Sequence, residues 1–397
     1  MSSTHRAVRR VSRQRANASH PDTILRNAAP LCAPPLSASA LMPFDDAAAI
    51  LRAHARPGEI KRRALDDSHG HVLAEAVVAG FDCPRTDIAA MDGYALRGEN
   101  LGGQFGSAFR VVGEAFAGRP HGGVIGPGET VRIFTGAPMP AGTNWVVPQE
   151  ETARRSGAMV ALVPTGRRHV RPRGSDFRAG QVLLPAGRLL DGRALVSAGA
   201  ADCATLSVWQ RPRVAVIATG DELVAPGTAL SDGPSAIPDS VSSGVAALVA
   251  EWGGEVVLRC RVGDDEIALE EAAANALRVA DLVVTIGGAS VGERDHARRM
   301  FQPLGLSVIF SKLAIKPGKP VWLGRAGEKL VLGLPGNPTS AMVTARLLLA
   351  PLVAGLAGRD PGSAQRWRKI RLAAPLEAGG VFETFSRARL DGDRVRP

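Results

Sequence analysis

The sequence predicts a multidomain α/β protein. Residues 211–358 alternate short apolar strand patterns with helical patterns, which is typical of a parallel sheet covered by helices. Strand patterns and turn signals dominate residues 81–170 and predict a β-rich inserted domain. We expect the flanking segments 42–80 and 171–210 to form a helical linker region, and residues 366–397 to form a short C-terminal β domain.

Composition restricts the possible functions. The 397 residues are 45% apolar, which is enough for large cores and two or more domains. No apolar run is long and charge-free enough to span a bilayer, so no membrane partner is expected. The four cysteines are scattered without metal-ligand spacing, which favours free thiols in the cytoplasm.

The net charge of +10 does not indicate a nucleic-acid partner. Residues 1–41 hold six arginines against one aspartate, whereas the rest of the chain mixes both signs without a basic helix. These first residues are rich in Arg, Ser, Ala and Pro and predict a disordered extension. The extension has two readings: a start codon assigned too far upstream of Met42, or an Arg-rich targeting peptide.

The helical elements are identified by their periodicity and end signals. Residues 43–55 form an amphipathic pattern with Asp45 and Asp46 in the first turn. Residues 191–198 are a short Ala/Leu-rich helix with Gly199 as its stop. Further helices are expected at residues 241–252, with Ser240 as N-cap, 266–279 and 339–349.

The strands are read from short β-branched and apolar runs. In the β-rich domain they lie at residues 109–112, 130–134 and 159–163. In the α/β domain they lie at residues 214–218, 255–261, 282–286 and 329–334, and residues 358–365 read as a linker.

Four polar loops follow strands of the predicted parallel sheet. They begin at Thr219, Gly263, Gly287 and Pro335. In an open α/β sheet such loops share one edge, and ligands bind in the crevice outside the carboxyl ends of the strands. Glycines, carboxylates and an amide would converge there, which is the chemistry of a phosphorylated ligand held with a cation.

Each of these loops also has an ordinary structural explanation. The glycine-rich loop 287–292 presents several N–H groups to an anion, but it could equally be a turn with a capping Asp295. Adjacent carboxylates at Asp221 and Glu222 suit Mg²⁺, whereas Asp264 and Asp265 also suit the start of a helix.

Two lysines stand on a stiff loop, residues 316–320, that contains two prolines. Proline fixes φ and glycine permits a tight bend, so Lys316 and Lys319 can both point toward one oxyanion. The alternative is a solvated basic turn. Taken alone, Asp92 within an Asp-Gly turn and Thr135 within a Pro-rich loop are structural by default.

Six segments together resemble the molybdopterin molybdenumtransferase family, also called molybdenum insertase, which includes the E domain of gephyrin-like proteins. The similarity runs from about residue 43 to 390 in the family's order. The matching segments are 91–95 (Met-Asp-Gly-Tyr-Ala), 132–138 (Arg-Ile-Phe-Thr-Gly-Ala-Pro), 219–223 (Thr-Gly-Asp-Glu-Leu), 287–292 (Gly-Gly-Ala-Ser-Val-Gly), 316–320 (Lys-Pro-Gly-Lys-Pro) and 333–338 (Gly-Leu-Pro-Gly-Asn-Pro).

The resemblance implies a reaction and a set of roles. The family joins molybdate to the dithiolene of adenylylated molybdopterin and releases AMP, with Mg²⁺ or another divalent cation. Implied catalytic residues are Asp92, Thr135, Asp176, Glu222, Asp264 and Asp295; implied metal ligands are Asp221, Glu222 and Asp295. Implied substrate-binding residues are Gly287, Gly288, Ser290, Gly292, Lys316, Lys319, Pro335, Asn337 and Arg387.

The resemblance also implies an assembly. Family members are homodimers, so the linker region would serve dimerisation, and Asp92 and Thr135 of one subunit would face the other subunit's cleft. Implied partners are the molybdopterin adenylyltransferase and recipient molybdoenzymes. The family's last domain extends beyond the point that matches residues 395–397, so a truncated C-terminal domain is expected.

Two other functions fit parts of the sequence. The first is adenylylation of molybdopterin, since that enzyme shares the Gly-Gly…Asp core, although the regions before residue 210 and after 365 argue against it. The second is a non-catalytic molybdopterin-binding scaffold. Departures from the family pattern favour it: Ile88 and Ala89 before the 91–95 motif, Val241 after Asp239-Ser240, and Ile286 before Gly287.

Overall fold

The computed structural model describes residues 9–12, 23–27, 41–98, 107–154, 159–162, 166–288, 296–376 and 380–396. The chain divides into two compact units. The core unit comprises Met1–Glu75, Gly187–Asp191 and Thr205–Pro397, and the inserted unit comprises Ala76–Ala186 and Gly192–Ala204. The β-rich domain expected at residues 81–170 therefore lies within the inserted unit.

The core unit begins with elements that precede the insertion. Helix α1 forms as its periodicity predicts, and it buries Phe44, Ala47, Ala48 and Leu51 on one face. The two strands before it differ from the disorder expected for residues 1–41. The elements are β1 (Arg9–Ser12), β2 (Thr23–Asn27), α1 (Phe44–His54) and β3 (Ile60–Ala64).

The inserted unit is mainly β structure. Its largest sheet has the strand order β10-β11-β7-β8-β6-β9 within the described residues. The elements are β4 (Val77–Val78), β5 (Ile88–Ala89), β6 (Gly93–Leu96), β7 (Ser107–Ala115), β8 (Glu129–Ile133), β9 (Trp145–Pro148), β10 (Thr152–Arg154), β11 (Met159–Leu162), β12 (Val170–Arg171), β13 (Val182–Leu184) and α2 (Gly192–Ala200).

The end of α2 differs from the prediction. Gly199 was expected to stop the helix, but α2 continues to Ala200. The chain leaves the helix at Asp202, whose φ of 64° is left-handed. Aspartate tolerates this conformation better than most residues, so a glycine is not required for the exit.

The core unit resumes with the α/β domain. The elements are β14 (Thr205–Trp209), β15 (Arg213–Thr219), β16 (Leu223–Val224), β17 (Ile237–Pro238), α3 (Val241–Glu251), β18 (Glu255–Val262), α4 (Glu266–Val279), β19 (Leu282–Ile286), α5 (His296–Arg299), β20 (Leu306–Ser311), β21 (Ile315–Lys316), β22 (Trp322–Ala326), β23 (Lys329–Leu334), α6 (Pro338–Thr344), α7 (Ala350–Leu356), β24 (Trp367–Lys369), β25 (Arg371–Leu372), β26 (Glu383–Asp391) and β27 (Arg394–Arg396).

The α/β sheet has the strand order β18-β15-β19-β23-β22-β20 in the described chain. The first four strands are parallel, as the alternating pattern predicts. Strand β22 pairs antiparallel with both of its neighbours, β23 and β20. Every residue of β19 is buried, as expected for a strand with helices on both faces. The loops after β15, β18, β19 and β23 therefore lie at one edge.

Helices α6 and α7 are joined by a π-helical turn, Ala345–Leu349, which extends the predicted helix 339–349 to Leu356. The combined segment Pro338–Leu356 is long and apolar enough to cross a membrane by length and composition, contrary to the sequence reading. Since 72% of its most apolar window is buried inside the structure, it is accounted for as a core helix.

The segments expected to form a helical linker region contain helices α1 and α2 and also short strands. Strand β3 pairs with β14 in the core unit, and β4 pairs with β13 in the inserted unit. Segments 42–80 and 171–210 are thus divided between the two units. Isolated β pairings depend on partners distant in sequence, so helical periodicity could not reveal them.

The C-terminal strands form a sheet with strands from the start of the chain. Its order is β24-β1-β2-β26-β27-β25, and β21 also pairs with β26. Strand β2 pairs antiparallel with β26, with Arg26 opposite Phe385.

Candidate active site

A cavity of about 530 Å³ lies at the carboxyl ends of β15, β19 and β23. This is the edge at which the sequence predicts a ligand site. Four of the predicted substrate and catalytic residues line it together: Glu222, Gly287, Gly288 and Asn337. The other lining residues are Thr219, Leu223, Ile237, Pro238, Asp239, Ser240, Val241, Ile286, Gly336 and Pro338.

The floor of this cavity is backbone. Gly287 has a φ of 92°, and a Cβ there would lie 2.6 Å from the carbonyl oxygen of Thr219. A Cβ on Gly336 would lie 3.3 Å from the Cα of Gly287. Only glycine allows the loops after β19 and β23 to approach this closely, and the backbone N–H of Gly287 donates to the carbonyl oxygen of Leu334 at 3.2 Å.

The rest of the glycine-rich motif is described only in part. Gly288 has a φ of 61°, and a Cβ there would lie 2.9 Å from the backbone nitrogen of Ala297 at the start of α5. The predicted residues Ser290, Gly292 and Asp295 lie outside the described residues. The described part has the positive-φ glycines that an anion-binding loop needs.

The two adjacent carboxylates after β15 have different roles. Glu222 lines the cavity. Asp221 instead accepts a hydrogen bond through Oδ1 from the backbone nitrogen of Asp264 at 2.8 Å. Among the described residues, no group of three His, Cys, Asp or Glu could hold a metal ion. Asp221 thus joins two loops, and Glu222 is the carboxylate of this pair that lines the cavity.

Capping explains two further polar residues at this edge. Asp265 accepts from the backbone nitrogen of Ala268 at 2.8 Å and caps α4, as its ordinary reading predicts. Asn337 accepts from the backbone nitrogen of Ser340 at 3.2 Å and caps α6, while it also lines the cavity. Pro335 is buried at the end of β23 and shapes the loop rather than lining the cavity.

Asp239 lines the cavity but was missed as a site residue. It is only 7% exposed and accepts from the backbone nitrogen of Ser242 at 3.0 Å and from its hydroxyl. Asp239 therefore caps α3, the role predicted for Ser240, which makes no side-chain capping bond. A buried carboxylate at a helix start was the available signal.

The lysine loop packs on α6, the helix that begins at the cavity. Gly318 has a φ of 108°, and a Cβ there would lie 2.2 Å from Cγ2 of Thr344. Lys316 and Lys319 are exposed, and neither belongs to the described cavity lining. The Nζ of Lys319 lies 6.0 Å from the centroid of the Phe382 ring, within cation–π range.

Arg387 lines a second cavity of about 500 Å³ between α3 and α6. Pro338 lines both cavities, so the two are neighbours. The wall of the second cavity is more apolar and includes Leu248, Met342 and Val343. The structure therefore assigns Arg387 to the adjoining cavity.

In the inserted unit, Asp92 and Thr135 form a pair. Oδ1 of Asp92 accepts from the Thr135 nitrogen at 2.8 Å and from its hydroxyl at 2.7 Å. These bonds, the backbone bond first, lower the pKa of Asp92 below its ordinary value, helped by the charge of Arg132. The carboxylate therefore stays ionised and oriented.

Near this pair, Arg132 organises a polar cavity of about 590 Å³. Its guanidinium donates to Gln149 at 2.8 Å and to the Tyr94 hydroxyl at 3.1 Å. The predicted catalytic residue Asp176 forms an ion pair with Arg171, 2.5 Å away. Asp92, Thr135 and Asp176 thus belong to the inserted unit, and the glycine-floored cavity belongs to the core unit.

Two family descriptions match the chain. Residues 42–201 match the MoeA N-terminal region (domain I and II). Residues 215–355 match the probable molybdopterin binding domain. The second match covers the α/β sheet and the loops that line the cavity.

Curated relatives agree with these matches. The molybdopterin molybdenumtransferase of Nostoc sp. is 35% identical, covering 80% of this chain and 74% of the relative. Molybdopterin molybdenumtransferase 2 of Mycobacterium tuberculosis is 35% identical, covering 82% of each. The Haemophilus influenzae enzyme is 34% identical over 79% of this chain and 76% of its own length.

Solved structures show the same fold. Two crystal structures of the MoeA molybdopterin biosynthesis protein from Pyrococcus horikoshii superpose with TM-scores of 0.75 and 0.74. They are 28% and 25% identical and cover 90% of this chain and 89% and 90% of theirs. Fold and cavity thus define an enzyme of molybdenum cofactor biosynthesis. The chain belongs to the molybdopterin molybdenumtransferase family.

Proposed function

We propose that this chain inserts molybdate into adenylylated molybdopterin with release of AMP, assisted by a divalent cation. In the reaction the two dithiolene sulfurs bind molybdenum as one molybdate oxygen leaves as water with the two thiol protons, and a second water cleaves the phosphoanhydride to give the pterin phosphate and AMP. The observation that carries this proposal is the glycine-floored cavity, where Gly287 and Glu222 meet in one site. Backbone N–H groups suit a phosphate, and a carboxylate suits a hard cation.

The phosphate end of the pterin would bind at the cavity floor. Gly287 and Gly288 both have the positive φ that is typical of anion-binding loops. Asn337 adds an amide at the start of α6, where the helix dipole favours negative charge. These features support binding of the phosphoanhydride at this edge.

Molybdate would bind at an oxyanion clamp, defined as Ser290, Lys316, Lys319 and Arg387. Lys316 and Lys319 stand on one loop that packs against α6 through Gly318. Arg387 lies in the adjoining cavity, which shares Pro338 with the glycine-floored one. A dianion between fixed cations is held by charge-assisted hydrogen bonds.

We assign the divalent cation to Glu222 together with Asp295. Asp221 is a weaker candidate, because its Oδ1 already accepts from the Asp264 nitrogen. When bound, the cation would offset negative charge on the phosphoanhydride. Asp264 contributes its backbone nitrogen to fix the loop, and Glu222 is left to orient the ligand.

We also propose a cytoplasmic homodimer with a shared active site. Asp92, Thr135 and Asp176 all belong to the inserted unit and would serve the partner's cavity. The support is Asp92, whose pKa is lowered and whose carboxylate is oriented by two hydrogen bonds from Thr135. A carboxylate held in this way is suited to contact a cationic or polar group of a ligand. The molybdopterin adenylyltransferase and recipient molybdoenzymes would be its transient partners.

The experiment is molybdate-dependent release of AMP from purified adenylylated molybdopterin. The proposal expects AMP only when molybdate and a divalent cation are both present. An adenylyltransferase would instead consume ATP and unadenylylated molybdopterin. A scaffold would bind the pterin without producing AMP in either assay, which would refute the proposed reaction.

Mixing two variants of low activity tests the shared site. At a molybdate concentration well below saturation, Asp92→Ala and Lys316→Ala subunits would each form dimers of low activity. If the sites are shared between subunits, an equimolar mixture recovers about a quarter of wild-type activity, because half the dimers are mixed and each has one intact site. Recovery of none, with subunit exchange verified by mass, would place both residues in a site within one chain.

A further inference from the structure

A single buried arginine joins the N-terminal strand β2 to the C-terminal strand β26. Arg26 is 5% exposed, and its guanidinium forms an ion pair with Glu383, which is 8% exposed. The same guanidinium pairs with Asp45 at 2.9 Å. It lies 5.0 Å from the Phe44 ring centroid and 5.3 Å from that of Trp367. A guanidinium this deeply buried has lost most of its hydration, and the two carboxylates offset that loss.

The two carboxylates held by Arg26 belong to segments that flank residues 312–314, immediately before the lysine loop 316–320. On one side, Ala314 donates its backbone N–H to Met42 at 2.8 Å, and Met42 donates to Lys312 at 3.1 Å. On the other side, Glu383 donates to Ala314 at 2.8 Å. Asp45 lies one turn after Met42, in the first turn of α1.

The start of β26, with Phe382 just before it, also contacts both lysines directly. Lys316 of β21 pairs in parallel with Thr384, and Ile315 pairs with Glu383. Lys319 lies above the ring of Phe382. Three consecutive residues, 382–384, therefore set the position of the lysine loop, and the middle one is the residue that Arg26 holds.

We propose that Arg26 is a positioning residue for molybdate binding: it fixes Glu383 and Asp45, and so holds the segment that carries Lys316 and Lys319. The N-terminal strand is then part of the support of the active site. This inference rests on the proposed function for its effect on molybdate, but its effect on the backbone is independent of that function. Arg26 itself touches no substrate.

The backbone effect is tested by amide hydrogen exchange on the full chain with Arg26→Ala and Arg26→Lys. We expect the amides of Met42, Ala314 and Glu383 to exchange about ten-fold faster in Arg26→Ala. Arg26→Lys retains a charge but only one ammonium centre, so it should be intermediate. Unchanged protection of all three amides would overturn the inference.

The functional effect is tested by the molybdate dependence of AMP release. Arg26→Ala should raise the half-saturating molybdate concentration about ten-fold, because a displaced binding loop loses alignment, while the rate at saturating molybdate is retained. Asp281→Asn is the matched control, since it breaks an ion pair with Arg213 and Lys329 at the amino end of β19. It should lower stability without changing the molybdate dependence.

The outcomes separate the inference from the proposed function. If Lys316→Ala raises the half-saturating molybdate concentration and Arg26→Ala does not, the inference is wrong and the proposed function stands. If Lys316→Ala has no effect, the oxyanion clamp itself is wrong, and the functional half of the inference is wrong with it. An equal change of the half-saturating molybdate concentration in Arg26→Ala and Asp281→Asn would mean that Arg26 acts only through overall stability. If Arg26→Ala is insoluble, Glu383→Gln removes the charge of the buried partner instead, and the same results are expected.

Discussion

Oδ1 of Asp221 accepts a hydrogen bond from the backbone nitrogen of Asp264 at 2.8 Å, so one carboxylate joins the loops that follow β15 and β18. The neighbouring Glu222 lines the cavity instead. Two adjacent acidic residues that are equivalent in the sequence therefore differ in what their side chains contact.

Substitutions should separate these two roles. Asp221→Ala leaves the Asp264 N–H without its acceptor and should lower the free energy of unfolding by about 1 kcal/mol, whereas Asp221→Asn keeps an oxygen and should cost less. Glu222→Gln should leave stability unchanged and raise the divalent-cation concentration needed for half-maximal AMP release. Denaturant unfolding and a Mg²⁺ titration measure the two properties. Reversed effects of the two substitutions would contradict the assignment.

The glycine floor gives a second prediction. Gly287→Ala should destabilise the protein and abolish pterin binding, because the Cβ would lie 2.6 Å from the Thr219 carbonyl oxygen. Gly305→Ala is the control: Gly305 also has a positive φ, of 77°, but a Cβ there meets open space. The control should show only the backbone strain of about 1–2 kcal/mol. Equal losses of stability and pterin binding in both variants would mean that the close approach of Gly287 to Thr219 is not important.

The clamp gives a third prediction. Lys316→Ala should weaken molybdate binding about ten- to a hundred-fold, as expected for loss of one charge-assisted contact of roughly 1.5–3 kcal/mol. Asp295→Asn should retain molybdate binding and impair AMP release. Lys61→Ala removes an equal charge from β3 and should change neither property. Calorimetry with molybdate and the AMP assay report the two effects separately.

The Asp92–Thr135 pair predicts a pH effect. Its hydrogen bonds depress the pKa of Asp92, so their contribution is complete above the unfolded-state pKa of about 3.9 and is lost as pH falls through the lower folded value. Thr135→Val removes the hydroxyl donor and should raise the pKa of Asp92 toward its ordinary value; Thr135→Ser should not. Carboxyl NMR titration measures this. Asp82, whose pKa is lowered by the Ala179 amide and by Arg173, should titrate identically in all three proteins.

The sequence predicted that the four loops share one edge because parallel strands bring their carboxyl ends together whatever the loops contain. The positions of Gly287, Glu222 and Asn337 follow from that rule. Capping rules likewise predicted Asp265. Strand and helix patterns are local, so each could be read without knowledge of the rest of the chain.

Other features depend on contacts that local patterns do not contain. Arg26 and Glu383 are separated by 357 positions, and nothing near either residue indicates its partner. The same reason explains why β1 and β2 were expected to be disordered. Arg387 was placed by its motif in the molybdate site, but its cavity depends on how α3 packs beside α6.

The pairing of β2 with β26 has a consequence for synthesis of the chain. Translation at 5–20 residues per second would separate the emergence of Arg26 from that of Glu383, 357 positions later, by roughly 20–70 s. During that interval the edge of β2 has no β26 from its own chain, and an exposed strand edge accepts whichever matching strand arrives first. Closely spaced ribosomes on one message would therefore favour exchange of this strand between neighbouring nascent chains.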